Sequence, residues 1–446
     1  MSDSSAPPRV DRVSDADLAF LAMDRGPVPE QIAVVLLLDR RLRAAAFARL
    51  LRDRAAAVPR LRQRLVRTPP GCGAPIWVDD EAFDAGWHLV TAQCPGPGSE
   101  RAMLEAVLPH VLRPLPRERP LWRAVLVDGL ADGCTAVVFV VHHALSDGLG
   151  GLAALGRLLD GDSPETLPPP SRRPTAWRLA ADAWRSRAAA LRAAPASLRR
   201  LRTAMAAGGG MAAVRAQPCS LLRVTGARRR VAVARVRLDA LRTAAHRHHA
   251  GVHAALLAAV AEALHDTLAR RGETVATVRV AVPVGTPRVG GATAGNAVSP
   301  LVVAVPVTGP LGVRLSRVAA DVRRGRAAAA GPAPITVLGG GFRLLAALGG
   351  YRWYMTHQRR LHTLVSYLRG PAGPVRLGGT LVREMIPIVV GGNANITVSF
   401  VALSYAGSLA VTAVADSDGC PDLEPLSRQL AAELNAIAAE APSGRR

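Results

Sequence analysis

The stretch CTAVVFVVHHALSDGLGG, residues 134–151, decides how the first half of this chain folds. Its first eight residues, Cys134 to Val141, are largely apolar without alternation, which predicts a strand buried on both faces. Two adjacent histidines, an aspartate and a glycine cluster follow, and a helix is predicted to begin near Leu152. Buried histidines need hydrogen-bond partners or a chemical task, so this strand end is the candidate site.

The two histidines, His142 and His143, are predicted to do different things. Successive strand residues point to opposite faces, so one ring faces the chemistry and the other faces the core. This geometry disfavours a shared metal ion, and the sequence offers no third ligand nearby. A single histidine suits a general base, which takes the proton of a hydroxyl or amine attacking an ester or thioester. A core histidine pair on a glycine-rich turn fits the same residues, and the spacing alone does not choose between the two interpretations.

Asp147 and the glycines after it complete this stretch. Asp147 could fix the loop by pairing with an arginine. Gly148 and its neighbours would allow a substrate to approach the backbone closely, beside a helix N-terminus.

Bulk composition limits the class of protein. A chain of 446 residues with 49% hydrophobic residues predicts two folded domains. The five scattered cysteines favour a reducing compartment over a disulfide framework. We find no apolar signal segment and no run of about 18 uncharged apolar residues, so a cytoplasmic location is expected. The net charge is +22, but aromatic content is 4% and no nucleic-acid-binding motif is present, so no nucleic-acid partner is expected.

Strands alternating with helices predict an α/β fold. We expect an N-terminal domain over residues 1–165, a helical linker over 166–227 and a C-terminal domain over 228–446. In the last of these, Phe342–Leu364 is predicted to be helical and Val365–Pro374 to be a turn region.

The linker is strongly basic. Residues 171–230 contain fourteen arginines and one acid, Asp182. Large apolar residues recur every seven positions, beside arginines with the same period, and Pro195 is expected to break or restart the helix; the apolar set is Trp177, Trp184, Leu191, Leu198 and Met205. This pattern fits a crossover helix packed on the body. It also fits an interfacial helix, with residues 174–206 touching a membrane or lipid droplet.

The motif His142-His143-Ala144-Leu145-Ser146-Asp147-Gly148 matches HHxxxDG of the CoA-dependent acyltransferase superfamily. Other stretches resemble one branch, the bacterial wax ester synthase/diacylglycerol acyltransferase family, in family order and over nearly the whole chain. They are SDADLAFLAMD (14–24), RLRQRLV (60–66), PIWVDDEAFD (75–84), PLW (120–122), Gly295-Asn296, and LSYAG (403–407) with Ala415-Asp416.

The resemblance implies a two-layer α/β architecture of two chloramphenicol-acetyltransferase-like domains with a central tunnel. It implies that His143 takes the proton from an acceptor hydroxyl attacking acyl-CoA, with no metal and no cofactor beyond that co-substrate. Asp147 would be structural, paired with an arginine for which Arg288 is the candidate. Further substrate-binding or structural positions are Pro120, Leu121, Trp122, Asn296, Ser366 and His253.

The chain departs from the family at two positions. His253-Ala254 stands where the family usually has Asn-Asp, and Tyr367 stands where SNVPGP has its asparagine. His253 could replace the lost amide donor or mark an altered substrate. The resemblance as a whole implies long-chain acyl transfer to diacylglycerol or a fatty alcohol, which is the expected function. The alternatives are a different hydroxylated acceptor, such as a natural product or sugar, and a non-catalytic lipid-binding protein.

The cluster of His246, His248, His249 and His253 lacks a carboxylate or cysteine, and we interpret it as an exposed helix junction.

Overall fold

The structure is a computed structural model that describes residues 10–145, 148–161, 173–207, 215–285, 298–328, 343–391 and 394–440. Its helices are α1 (Asp15–Met23), α2 (Ala44–Ala55), α3 (Pro59–Arg62), α4 (Glu100–Leu112), α5 (Gly148–Gly156), α6 (Ala176–Ala207), α7 (Leu238–Arg247), α8 (Val252–Arg270), α9 (Leu311–Ala328), α10 (Gly350–Thr356) and α11 (Leu423–Ala439). Its strands are β1 (Gln31–Leu38), β2 (Gln63–Val66), β3 (Ile76–Asp79), β4 (Leu89–Gln93), β5 (Trp122–Asp128), β6 (Ala136–His142), β7 (Arg229–Arg237), β8 (Thr277–Gly285), β9 (Val298–Pro306), β10 (Thr363–Arg369), β11 (Arg376–Leu377), β12 (Thr380–Val389), β13 (Val398–Tyr405) and β14 (Ser408–Asp416).

Two six-stranded sheets organise the fold. The first has the order β11-β12-β1-β6-β5-β4, and the second has the order β7-β14-β13-β10-β8-β9. Strand β6 lies between β1 and β5 in the first sheet. Phe139 and Val137 enter one core, while Val138 and Val140 enter another on the opposite face. The prediction that this strand is buried on both faces is confirmed.

The second half of the chain completes the first sheet. Strand β12 runs antiparallel to β1, with Ile32 opposite Val389. The sheets also share apolar cores: Val414 of β14 packs with Ile386 and Ile388 of β12. Since each half contributes to the packing of the other, the structure gives a physical reason for the two halves to fold together.

Helix α6 runs through Pro195, so the prediction that this proline breaks or restarts the helix is wrong. Proline removes one backbone donor, and the alanine-rich turns around it favour the helix enough to continue. Leu179 and Ala183 are buried on the body. The first three residues of the heptad stripe face outward instead, because Trp177, Trp184 and Leu191 are 82%, 69% and 76% exposed.

Two further predictions near the C-terminal half are wrong. Residues Phe342–Leu364 are not one helix, because Gly349 adopts a positive φ of 80° and only Gly350–Thr356 continues beyond it. The turn region predicted over Val365–Pro374 is wrong for Val365–Arg369, because Thr363–Arg369 forms strand β10, which pairs in parallel with β13; residues 370–374 lie outside strands and helices. Neighbouring strands here override a weak local pattern. Helix α5 also begins earlier than the predicted Leu152, at Gly148.

Helix α8 has the length and apolarity of a membrane-spanning segment, with a mean hydropathy of 1.2 over 18 residues. However, 72% of that window is buried inside the protein. It packs with α11 and the second sheet around Leu256, Leu257 and Leu430. Its apolar character therefore fits a core helix.

Candidate active site

His142, the last residue of β6, is locked in place through both ring nitrogens. Nε2 donates to Asp24 Oδ2 at 3.0 Å, and Nδ1 accepts the backbone N–H of Ala144 at 2.9 Å. The residue is 2% exposed. A carboxylate can only accept, so this pairing fixes one neutral tautomer. His142 therefore holds the turn after β6 and has no free nitrogen to take a proton from a substrate.

Asp24 is the centre of this lock. Its Oδ2 also accepts from Arg117 at 2.9 Å, and its Oδ1 accepts the N–H of Glu30 at 3.1 Å. Burial alone would raise the pKa of Asp24, but the hydrogen bonds that it accepts from His142, then from Arg117 and the backbone of Glu30, lower it to about 2. Asp24 is therefore a carboxylate at neutral pH, and it joins the end of α1 to the histidine strand.

His143 lies in the turn, one residue beyond the strand, and is half-buried. Its backbone N–H donates to the carbonyl of Glu30 at 2.9 Å. Its ring is stacked on Phe20 of α1, with centroids 3.9 Å apart and planes 4° apart. The two histidines therefore have different surroundings. His142 is hydrogen-bonded through both ring nitrogens, and the ring of His143 lies flat against the ring of Phe20.

Pro120, Leu121 and Trp122 support the motif from below. The carbonyl of Leu121 accepts the N–H of His142 at 3.0 Å. Trp122 is 1% exposed, and its Nε1 donates to Leu61 O at 2.7 Å. His88 stacks on the Trp122 ring at 4.2 Å. Leu121 therefore fixes the backbone of the motif through this hydrogen bond, and the buried Trp122 follows it directly in the chain.

Gly148 packs closely against β10. A Cβ at this position would lie 2.8 Å from Leu368 Cδ2, so a larger residue would require the Leu368 side chain to move. The start of α5 therefore sits directly on β10. Side chains alternate along a strand, so Ser366 projects from the same face of β10 as Leu368, toward the motif side.

His253 lies on the other face of β10. Its ring is 6.2 Å from that of Tyr367, and Tyr367 packs against the core of the second sheet. His253 Nδ1 accepts from Arg326 Nη2 at 3.1 Å. The buried Nε2 has no partner in the described parts of the chain. Burial, and then the charge of Arg326, lowers the pKa of His253 to about 4, so the ring is neutral at neutral pH.

Three predicted site residues lie outside the described residues: Asp147, Arg288 and Asn296. Their roles, like the central tunnel, stay predictions. One cavity of about 800 Å³ is lined by residues within 247–249 and 310–317, and another of about 200 Å³ by residues within 87–90, 113–116 and 122–123; neither lining includes the histidine motif. In the described part of the chain, no group of three or more His, Cys, Asp or Glu is placed to hold a metal ion.

Sequence reasoning missed the residues that brace the motif. Asp24 and Phe20 both belong to the N-terminal stretch SDADLAFLAMD, which was singled out in the sequence only for its resemblance to the family. In the structure this stretch is a helix whose start carries a capping box of Ser14 and Asp17. Gln31 was also missed. Its side chain donates to Val111 O and accepts from Leu115 N, and so fixes the proline-rich turn. For Asp24, the signal available in the sequence was an aspartate placed directly after an apolar helix.

Solved structures show the same fold. The wax ester synthase/diacylglycerol acyltransferase from Marinobacter aquaeolei VT8 superposes with a TM-score of 0.67 at 21% identity, covering 96% of this chain and 100% of that one. The starter condensation domain of rhizomide synthetase RzmA, solved with C8-CoA, gives a TM-score of 0.62 at 14% identity, covering 97% and 95%. The predicted two-domain acyltransferase architecture is confirmed.

Sequence comparison gives the family. The wax ester synthase/diacylglycerol acyltransferase catalytic domain matches residues 13–256, and the C-terminal domain of the same family matches residues 294–438. A Mycobacterium tuberculosis protein named "Probable diacyglycerol O-acyltransferase tgs1" is 28% identical over 443 residues, covering 94% of this chain and 90% of the relative. The predicted family is confirmed: the chain belongs to the wax ester synthase/diacylglycerol acyltransferase family.

Proposed function

We propose that His143 is the general base with which this acyl-CoA-dependent O-acyltransferase moves a long-chain acyl group to diacylglycerol or a fatty alcohol. One observation carries the assignment. His142 is hydrogen-bonded through both ring nitrogens, to Asp24 and to Ala144, so it is committed to holding the turn. A base needs a nitrogen that can take a proton and later release it, which excludes His142. His143, stacked on Phe20 beyond the strand end, is then the histidine of the motif to which we assign the role.

The reaction needs few groups. His143 takes the proton of the acceptor hydroxyl as its oxygen attacks the thioester carbon. A C–O bond forms, the tetrahedral intermediate collapses, and the C–S bond breaks. His143 returns its proton to the departing CoA sulfur, so the products are an ester and free CoA. A stacked aromatic ring would fix the plane of the imidazole through both proton transfers.

The relatives support this choice of substrates. The tuberculosis relative carries diacylglycerol in its name, and the RzmA condensation domain was solved with C8-CoA. Asp147 would brace the motif by pairing with Arg288. Ser366 and Asn296 would contact substrate, and His253 would supply a neutral N–H donor at the position where the family usually has an amide.

Membrane contact through residues 174–206 is part of the proposal. Trp177, Trp184 and Leu191 are exposed on one face of α6. The guanidinium of Arg187 lies 5.9 Å from the ring of Trp184. Exposed tryptophans beside arginines suit a headgroup layer. A cytoplasmic protein, peripheral on membranes or lipid droplets, fits these features.

An acceptor panel tests the proposed function. Purified protein is incubated with palmitoyl-CoA and diacylglycerol, hexadecanol, a sugar or a hydroxylated polyketide, and CoA release is measured. We expect turnover with diacylglycerol or hexadecanol. Turnover with the polar acceptors alone would select the alternative function that His253 and Tyr367 motivate. Binding of acyl-CoA without turnover of any acceptor would favour a non-catalytic lipid-binding protein.

A further inference from the structure

Residues 343–357 form a hairpin of two short helices. Residues 343–347 make the first helical turn, and α10 makes the second. Gly349 joins them with a φ of 80°. A Cβ on Gly350 would lie 2.4 Å from Leu345 Cδ1, so glycine lets the two helices touch. We call residues 343–357 the helical hairpin.

The inner face of the helical hairpin packs on the helix that braces the catalytic histidine. Ala346 and Tyr351 pack against Ala19 of α1. Arg25, just beyond α1, donates to the carbonyl of Ala347 at 3.1 Å. Phe20, the neighbour of Ala19, is the residue stacked on His143. A single helix therefore separates the hairpin from the proposed base.

The outer face of the helical hairpin is apolar and exposed. Leu348 is 78% exposed, Trp353 66% and Leu344 63%, with Leu345 and Tyr354 exposed beside them. Single exposed apolar residues are ordinary on a protein surface. Five of them within a short hairpin make a contiguous patch of the kind that marks an interaction site. Tryptophan and tyrosine are the side chains that favour a membrane interface.

The charge around this patch favours an anionic partner. Residues 343–360 contain four arginines and no Asp or Glu. Arg352, Arg359 and Arg360 are exposed. A symmetric pairing of two copies through this surface would bring like charges together, which disfavours a dimer. Anionic phospholipid headgroups would complement the arginines while the apolar side chains enter the acyl layer.

We infer that the helical hairpin is the surface through which a lipid acceptor passes from an anionic membrane toward His143. This inference rests on the proposed function and adds a route for the acceptor. Helix α6 is a separate surface, because it packs through Leu179 on the β2–β3 hairpin and not on α1. Because α6 is itself proposed to touch a membrane, the matched control is taken elsewhere, at the exposed apolar residues Val224 and Val313.

The test compares two double variants with wild type. Leu348→Ser/Trp353→Ser changes the helical hairpin, and Val224→Ser/Val313→Ser changes exposed apolar residues elsewhere; all four side chains are exposed, so folding should persist. CoA release from palmitoyl-CoA is measured with diacylglycerol in phosphatidylglycerol vesicles and with a water-soluble short-chain alcohol, alongside vesicle flotation. We expect the hairpin variant to lose on the order of tenfold with vesicle-held diacylglycerol and nothing with the soluble alcohol. The control variant should keep the wild-type ratio of the two rates.

Three results would overturn the inference: an unchanged ratio in the hairpin variant, an equal fall in both variants, or loss of a dimer in the hairpin variant with its ratio unchanged. If wild type turns over neither acceptor, the proposed function fails by itself. Flotation then decides the inference, since equal flotation of wild type and the hairpin variant contradicts it. Arg352→Glu/Arg359→Glu adds a second check, and it should weaken flotation on phosphatidylglycerol vesicles more than on phosphatidylcholine vesicles.

Discussion

At the scale of single residues, the histidine motif divides its work between neighbours. His142 belongs to the strand and is held by Asp24, while His143 follows the strand and stacks on Phe20. Strand alternation predicted that the two rings point to opposite faces. The rings do have different surroundings, but His143 lies in the turn beyond β6 and not in the strand. Strand alternation also did not reveal the partners, because Asp24 lies 118 positions away in the chain. A long-range hydrogen bond leaves no local pattern in a sequence.

Replacing Asp24 tests the lock. Its pKa of about 2, below the ordinary 3.8, means that its stabilisation is present above pH 3.8 and is lost as pH falls toward about 2. A shift of that size corresponds to about 2 kcal/mol. We expect Asp24→Asn to lower the free energy of unfolding at pH 7 by about that amount, in urea titrations. It should also lower kcat without changing KM for acyl-CoA, since His143 is displaced and not removed. An unchanged unfolding midpoint and an unchanged kcat would contradict the lock.

His253 predicts a dependence of stability on pH. Its folded pKa of about 4 lies below the ordinary 6.5, so the unfolded chain binds a proton first as pH falls. Stability attributable to this residue is therefore complete above pH 6.5 and falls between pH 6.5 and about 4, by at most about 3 kcal/mol. His253→Asn should flatten this part of the stability profile. His246→Asn, at an exposed position, serves as control. A wild-type slope retained in His253→Asn would show that His253 does not cause it.

At the scale of elements, β10 was mispredicted and proves important. The sequence SYLRGP was interpreted as a turn region because Ser, Gly and Pro are common in turns. Parallel pairing with β13 holds it as a strand. Local composition cannot report a partner strand that lies elsewhere in the chain. The strand positions Leu368 against Gly148, and this packing explains why the motif ends in glycine.

The two faces of β10 give a matched pair of variants. Ser366 projects toward the motif side, whereas Tyr367 projects toward His253 and donates to Ser404 Oγ at 3.4 Å. We expect Ser366→Ala to lower kcat by about tenfold or more if its hydroxyl contacts the reacting carbonyl. Tyr367→Phe should change kcat less, because its hydroxyl is directed away from the motif. Steady-state kinetics with palmitoyl-CoA decide this, and equal effects on kcat would refute a special role for the Ser366 face.

For helix α6, the sequence pattern predicted the element correctly but could not predict which face is buried. The seven-residue period predicted a helix with an apolar stripe, and the helix is present. The pattern could not say whether the stripe packs inward, because tryptophan suits both a core and an interface. The buried face is set by Leu179 and Ala183, which are smaller and fit against the β2–β3 hairpin.

At the scale of the whole molecule, the two halves are tied together by a charged cluster. Arg235 of β7 donates to Glu384 of β12 at 2.6 Å, and it also pairs with Glu100 of α4. Burial alone would lower the pKa of Arg235, but the hydrogen bonds that it donates to both carboxylates raise it. This guanidinium joins elements of both sheets.

Glu384→Gln tests that tie. We expect it to lower the free energy of unfolding by about 1 kcal/mol, since the cluster is partly buried. Glu105→Gln removes the exposed pair between Arg101 and Glu105 and should leave stability nearly unchanged. Thermal and urea unfolding of both variants provide the comparison. An equal effect of the two substitutions would show that the cluster adds nothing beyond an ordinary surface pair.

The α/β class and family were predictable from the sequence because they depend on local alternation and on a contiguous motif. The contribution of β12 to the first sheet was not predicted, since it joins residues about 350 positions apart, Ile32 and Val389. The same holds for the pairing of α1 with the helical hairpin. The departures at His253 and Tyr367 were recognised in sequence, but their place on one face of β10, away from Gly148, required the structure.

The most direct test of the central claim is the rate of CoA release from palmitoyl-CoA and diacylglycerol by wild type and by His143→Ala. We predict that His143→Ala lowers kcat by about 10² to 10⁴-fold, the usual contribution of a general base, with an unchanged unfolding midpoint. Equal rates of CoA release in the two proteins would contradict the assignment of His143 as the base.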